Sequence, residues 1–256
     1  MRVSDLVGEE HERAVRVLLP VRDAAGQWRS WKDVVDLIEI DGEVYWEQIC
    51  DRAPDLVDAP YGYLSDQAAG ALVDALAQGR DGECYFALWK GYGEDSTMTS
   101  APVDVPTWVS PLVRYLSLIP DSIGDIPGIP EDVVLIHEPL SWLARDLPVL
   151  GQRCPLMILS HDRSFVTACP IYHDSLYIGC TRELGDSLLA ADLDSYPISL
   201  DSVIRGTIDW QPQTEATPRG IEKDRPPNGI TYPGDGRDQP AGPLQEAQSE
   251  TRARSA

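Results

Sequence analysis

Residues 154–180, CPLMILSHDRSFVTACPIYHDSLYIGC, gather the side chains of this chain best equipped for chemistry. They include three of its five cysteines, two of its four histidines, and the consecutive triplet His173-Asp174-Ser175. Cysteine with histidine is the donor set of a zinc site, and Ser, His and Asp are the parts of a nucleophilic triad. Both chemistries need convergence in space, so the elements that carry these residues decide between chemistry and core.

Aspartate favours turns, and Arg163 and Ser164 continue the first polar run. The stretch therefore divides into three antiparallel strands, 154–160, 165–172 and 175–180, with turns at 161–164 and 173–174. That register sets Ser160 opposite Phe165, Leu156 opposite Cys169, and Thr167 opposite Cys180. Side chains alternate along a strand, so one face collects Cys154, Leu156, Ile158, Phe165, Thr167, Cys169, Ile171, Leu176, Ile178 and Cys180. This face is almost uniformly apolar, and cysteine there acts as a small buried hydrophobe.

The same register sends His161 and His173 to opposite ends of the middle strand, about 26 Å apart at about 3.3 Å per residue. They share no metal ion, and no metal or cofactor is expected. Cys154 and Cys169 become diagonal neighbours with Cα atoms about 7 to 8 Å apart, too far for an easy disulfide. Consecutive residues on a strand diverge, so His173, Asp174 and Ser175 are not expected to converge. The competing reading is a hydrolase or metal-dependent enzyme with Asp162, Arg163, His173 and Asp174 at one pocket. It requires a different register, one that brings the two turns together.

Elsewhere the apolar run 16–21 suits a strand, and Ser30 with Asp33 marks a helix start followed by Trp31, Val34, Val35 and Ile38 at helical spacing. Residues 43–49 alternate like a strand. Residues 65–79 read as an amphipathic helix with Leu72, Ala75 and Leu76 inward and Gly79 as its stop. Residues 84–93 put Cys84, Phe86 and Leu88 on one face and Tyr85, Ala87 and Trp89 on the other, so a central strand covered on both sides is expected. A proline-rich crossing over 101–130 includes a short helix at 111–118. A strand at 132–140, a short helix or turn at 141–147 and a helix at 181–193 complete the body. Thr181 caps that last helix, and Gly185 is expected to interrupt it.

Gly91-Tyr92-Gly93 lacks the third glycine and the following helix that a phosphate cradle needs. Asp121, Asp125, Glu131 and Asp132 match no calcium-loop spacing. His137 reads as a core or edge histidine, His11 as exposed, and most of the seven tryptophans as core anchors.

Charge is the strongest compositional signal: 42 acidic against 21 basic residues, a formal net of −21. Residues 211–256 contain seven acids and six bases, so almost all of the excess lies on residues 1–210. Such a field repels nucleic acid and anionic membranes and attracts a basic protein; a generic acidic solubility surface is the other reading. The odd, irregularly spaced cysteines and the absence of an apolar leader fit a reduced, cytoplasmic setting. The Pro- and Gly-rich residues 211–256, including the weakly apolar 230–232, read as a disordered tail.

Cys84-Tyr85-Phe86-Ala87-Leu88-Trp89, Gly91-Tyr92-Gly93, Glu138-Pro139-Leu140, Asp162-Arg163-Ser164-Phe165 and Tyr177-Ile178-Gly179-Cys180 together resemble a family of uncharacterised actinobacterial proteins. That family carries a Cys-x-Phe-Ala-x-Trp-x-Gly-x-Gly segment, a later Gly-Pro-Leu, an Asp-Arg-Ala-Trp and a Tyr-Val-Gly-Gly before a helix. The chain departs at Glu138, at Ser164-Phe165, at Cys180 and near position 170. The resemblance implies a shared fold and assigns no catalytic residue.

The fold expected is α+β: an antiparallel or mixed sheet with a three-stranded meander near 154–180, flanking helices, one acidic domain over 1–210 and a tail over 211–256. The function expected is a non-enzymatic protein-binding module, immunity-like or regulatory, acting through an acidic surface.

Overall fold

The structure, a computed structural model, describes residues 1–34, 45, 56–58, 62–89, 133–146, 153–170 and 173–204. Its elements in chain order are α1 (Val3–Val7), β1 (Arg13–Leu18), β2 (Val21–Asp23), β3 (Trp28–Arg29), α2 (Trp31–Val34), β4 (Leu56–Asp58), α3 (Asp66–Ala77), β5 (Glu83–Trp89), β6 (Val133–Pro139), α4 (Trp142–Asp146), β7 (Met157–Ser160), β8 (Phe165–Ala168), β9 (Ser175–Cys180), α5 (Arg182–Ala190) and β10 (Ser195–Ile198). One sheet has the order β10-β1-β9-β8-β7-β5-β6, and every pairing in it is antiparallel; a smaller one runs β3-β2-β4. The fold is α+β, with the antiparallel form of the two sheets expected.

Pleat alternation builds two cores. On the first face Val15, Val17, Cys84, Phe86, Ile158, Phe165, Leu176, Ile178 and Cys180 pack with Leu72 and Leu76 of α3, Trp142 and Leu143 of α4, and Leu184 and Leu188 of α5. On the second, Ala14, Tyr85, Ala87, Leu159, Val166 and Tyr177 pack with Val3, Leu6 and Val7 of α1 and with Ile204. As its alternating apolar sequence predicts, β5 is interior, paired with β6 and β7, with side chains buried on both faces.

Caps set the helix starts. Ser65 Oγ accepts the Ala68 N–H at 3.1 Å, Thr181 Oγ1 the Leu184 N–H at 3.4 Å, and Ser30 Oγ the Asp33 N–H at 3.1 Å. α3 ends at Gln78 and Gly79, both at positive φ. Trp31 is wholly buried; its backbone N–H donates to Asp194 and its indole N–H to the Leu19 carbonyl.

Several expectations need correction. β7 pairs with β8 in the expected register, Ile158 opposite Thr167. β9 slips by two residues, so Phe165 and not Thr167 lies opposite Cys180. The chain turns earlier than residues 173–174: Cys169 still bonds Leu156, its N–H donating to that carbonyl, and the His173 N–H donates to the Pro170 carbonyl. An even slip leaves every side chain on its expected face. Leu156 is the exception. It precedes β7 in a bend after Pro155 and packs in the second core. α5 runs unbroken through Gly185, where a side chain would crowd Arg13.

α1 was not legible in its polar surroundings, and His11 is half-buried, not exposed. The strand over 43–49 (apart from Tyr45), the glycines 91 and 93, the crossing 101–130 with its helix, the carboxylates Asp121, Asp125, Glu131 and Asp132, Ile171, and the tail 211–256 lie outside the described residues. Among the described residues no helix is long and apolar enough to cross a membrane.

Candidate functional site

In β1, Val15 and Val17 face the first core, so Arg16 between them turns to the second, where it is wholly buried opposite Tyr177 of β9. A guanidinium cannot shed its charge, so its burial demands a partner. Asp174 supplies it: Arg16 Nη2 lies 3.1 Å from Asp174 Oδ1, and Arg16 Nε donates to Ser175 Oγ at 2.8 Å. Ser175 Oγ donates in turn to Asp174 Oδ1 at 2.6 Å, and His173 Nδ1 stands 3.2 Å from the same oxygen. The Tyr45 ring covers the guanidinium at 4.1 Å and meets His173 edge-on, with centroids 6.1 Å apart. The His173 and Tyr177 rings are 5.4 Å apart.

Two backbone hydrogen bonds flank this cluster. The Leu19 N–H donates to the Asp174 carbonyl and the Gly62 N–H to the His173 carbonyl. Burial pushes the Asp174 carboxyl upward, but the adjacent His173 ring, the Arg16 charge and the Ser175 hydrogen bond together hold it well below the usual carboxylate range. Burial raises the Tyr177 phenol, against the opposing charge of Arg16.

His173, Asp174 and Ser175 therefore do converge, contrary to the argument from strand alternation. Residues 173 and 174 lie ahead of β9, where alternation does not apply, and His173 is buried. The connectivity, however, is not that of a hydrolase. A triad places histidine between serine and carboxylate, so that the ring takes the serine proton. Here Asp174 stands between the other two, Ser175 directs its proton at a carboxylate, and Arg16 occupies a lone pair of the hydroxyl. The set is a charged clasp between β1 and the segment entering β9.

The other two candidate residues lie elsewhere. Asp162 and Arg163 are exposed in the turn between β7 and β8, at the end of β8 away from His173 and Asp174. Asp162 Oδ1 accepts the Ser164 N–H at 2.9 Å, and Arg163 adopts φ +64°. Although partial burial raises the Asp162 carboxyl, hydrogen bonds from Ser164 and Ser160 bring it below its ordinary value. The structure thus unites His173 and Asp174 with Arg16 and Ser175, and leaves 162–163 apart. His161 instead neighbours His137, ring centroids 6.2 Å apart, and Tyr85 stacks on His137 at 4.5 Å.

Cys84, Cys154, Cys169 and Cys180 are all buried free thiols. Burial, then the nearby Asp162, Asp81 and Glu83, pushes Cys84 up to about 12; burial pushes Cys180 up to about 11. Cys154 is raised by a hydrogen bond with Cys169 and by burial, so these two thiols meet. Among the described residues no group of three His, Cys, Asp or Glu is placed to hold a metal ion.

Arg16 and Tyr45 were not singled out from the sequence, and Tyr177 entered only through the family resemblance. The signal was a lone cation inside the apolar run Ala14–Leu19. Comparison with protein-family models, with curated proteins and with solved structures finds no match.

Proposed function

We propose that this chain is a non-enzymatic binding protein that takes a basic protein partner on its acidic surface. The observation that carries this reading is where the excess negative charge sits. Of the described carboxylates whose burial is known, only Asp174 and Asp194 are buried; Asp66, Asp74, Asp81, Glu83, Glu183 and Asp186 are among the exposed. With a net charge of −21, the surface field accelerates encounter with a cationic partner and disfavours anionic ones. The polar cluster that best resembles catalytic machinery is sealed, with connectivity unsuited to nucleophilic attack.

The test is affinity capture from lysate on the immobilised full chain, followed by a salt titration of the captured complex. Support is a basic protein held stoichiometrically, with affinity falling as salt rises. An empty capture, or retention indifferent to salt, overturns the reading.

A further inference from the structure

His11 lies in the loop between α1 and β1, and its ring rests on the backbone of Gly179 in β9. A Cβ on Gly179 would stand 2.5 Å from His11 Cδ2 and 2.8 Å from Val7 Cγ2, so ring, helix and strand meet at one point. Its Nε2 is buried without a hydrogen-bond partner. α1 has five residues, too short to hold helical form alone. It persists through burial of Val3, Leu6 and Val7 and through Val3 and Ser4 N–H bonds to the Ser202 and Leu200 carbonyls.

We infer that His11 is a proton-operated latch on α1: the neutral ring seats the helix against β9, and the protonated ring releases it. Protonation would add an N–H and a positive charge at Nε2, where no acceptor waits. Burial lowers the His11 pKa, outweighing Glu10 and the Val7 carbonyl, which raise it. Charged groups on the adjoining elements are engaged elsewhere. Asp5 binds the Arg2 N–H, Glu12 accepts the Arg182 N–H, and Arg13 pairs with Asp186. On β9 the titratable neighbours of Gly179 are Tyr177 and Cys180, and Arg16 lies opposite Tyr177 on β1. A ring that binds its proton more weakly when docked loses docking strength as pH falls through the released-state value, about 6.5. The latch is independent of which partner the acidic surface takes.

The test is hydrogen exchange on the full chain, corrected for intrinsic rates. Between pH 7.5 and 5, protection of the Ser4 and Gly8 amides should fall about tenfold for each unit separating docked and released values. Amides of Ile158 and Val166 should hold, and a His11→Phe chain should show no such fall. Equal pH dependence in His11→Phe overturns the latch. So does an NMR titration of His11 in the unmodified chain that reads 6.5 or higher, which decides the matter even if the variant fails to fold.

Discussion

Arg16 Nη2 and Asp174 Oδ1 stand 3.1 Å apart, with neither side chain exposed, and tie β1 to the segment that enters β9. Desolvating two charges is expensive, and the Ser175 and Tyr45 contacts complete the compensation. Removing one partner leaves the other charged and buried. Arg16→Met or Asp174→Asn should each lower stability by about 3–5 kcal/mol in urea unfolding. The double variant Arg16→Met/Asp174→Leu should recover much of that loss, because no lone charge remains.

The same carboxylate makes the fold acid-sensitive. Its folded pKa is depressed, so its contribution is complete above the unfolded value, about 3.9, and drains as pH falls below it. Stability from chemical denaturation between pH 6 and 2 should fall in the native chain. The slope should be shallower in Asp174→Asn.

Two glycines should respond oppositely to alanine. At Gly179 the new methyl meets the His11 ring and Val7, both held by packing, so Gly179→Ala should cost about 1–3 kcal/mol. At Gly185 the nearest atom, Arg13 Cδ at 3.0 Å, belongs to a flexible side chain. There the gain in helix propensity, up to about 1 kcal/mol, should leave Gly185→Ala neutral or slightly stabilising. Thermal melts of the two variants decide.

Cys84, Cys154, Cys169 and Cys180 should resist a thiol-specific disulfide reagent at pH 8 and react once urea unfolds the chain. Burial blocks access to all four, and at Cys84, Cys154 and Cys180 a raised pKa also denies the thiolate. Site mapping by mass spectrometry reads the outcome at each cysteine.

How much of this was legible follows from what parity does and does not encode. Alternation placed Cys154, Ile158, Phe165, Cys169, Leu176, Ile178 and Cys180 in one core, and that assignment survived a two-residue slip of β9 because the slip was even. Parity says nothing outside a strand, which is why the convergence of His173 and Asp174 with Ser175 was missed and why Leu156 faces the other core. Arg16 was hidden for a related reason. A cation in an alternating strand reads as solvent-facing, and only tertiary coverage of the second face, with a carboxylate 158 positions away, turns it inward. α1 gave no periodic signal because five residues span little more than one turn.

The sheet order also bears on how the chain is made. Among the described residues β1 pairs with β9 and β10, so an apolar strand carrying a cation leaves the ribosome long before either of them exists. At translation rates of roughly 5–20 residues per second it waits on the order of ten seconds or more, and nascent-chain chaperones have that interval in which to shield it.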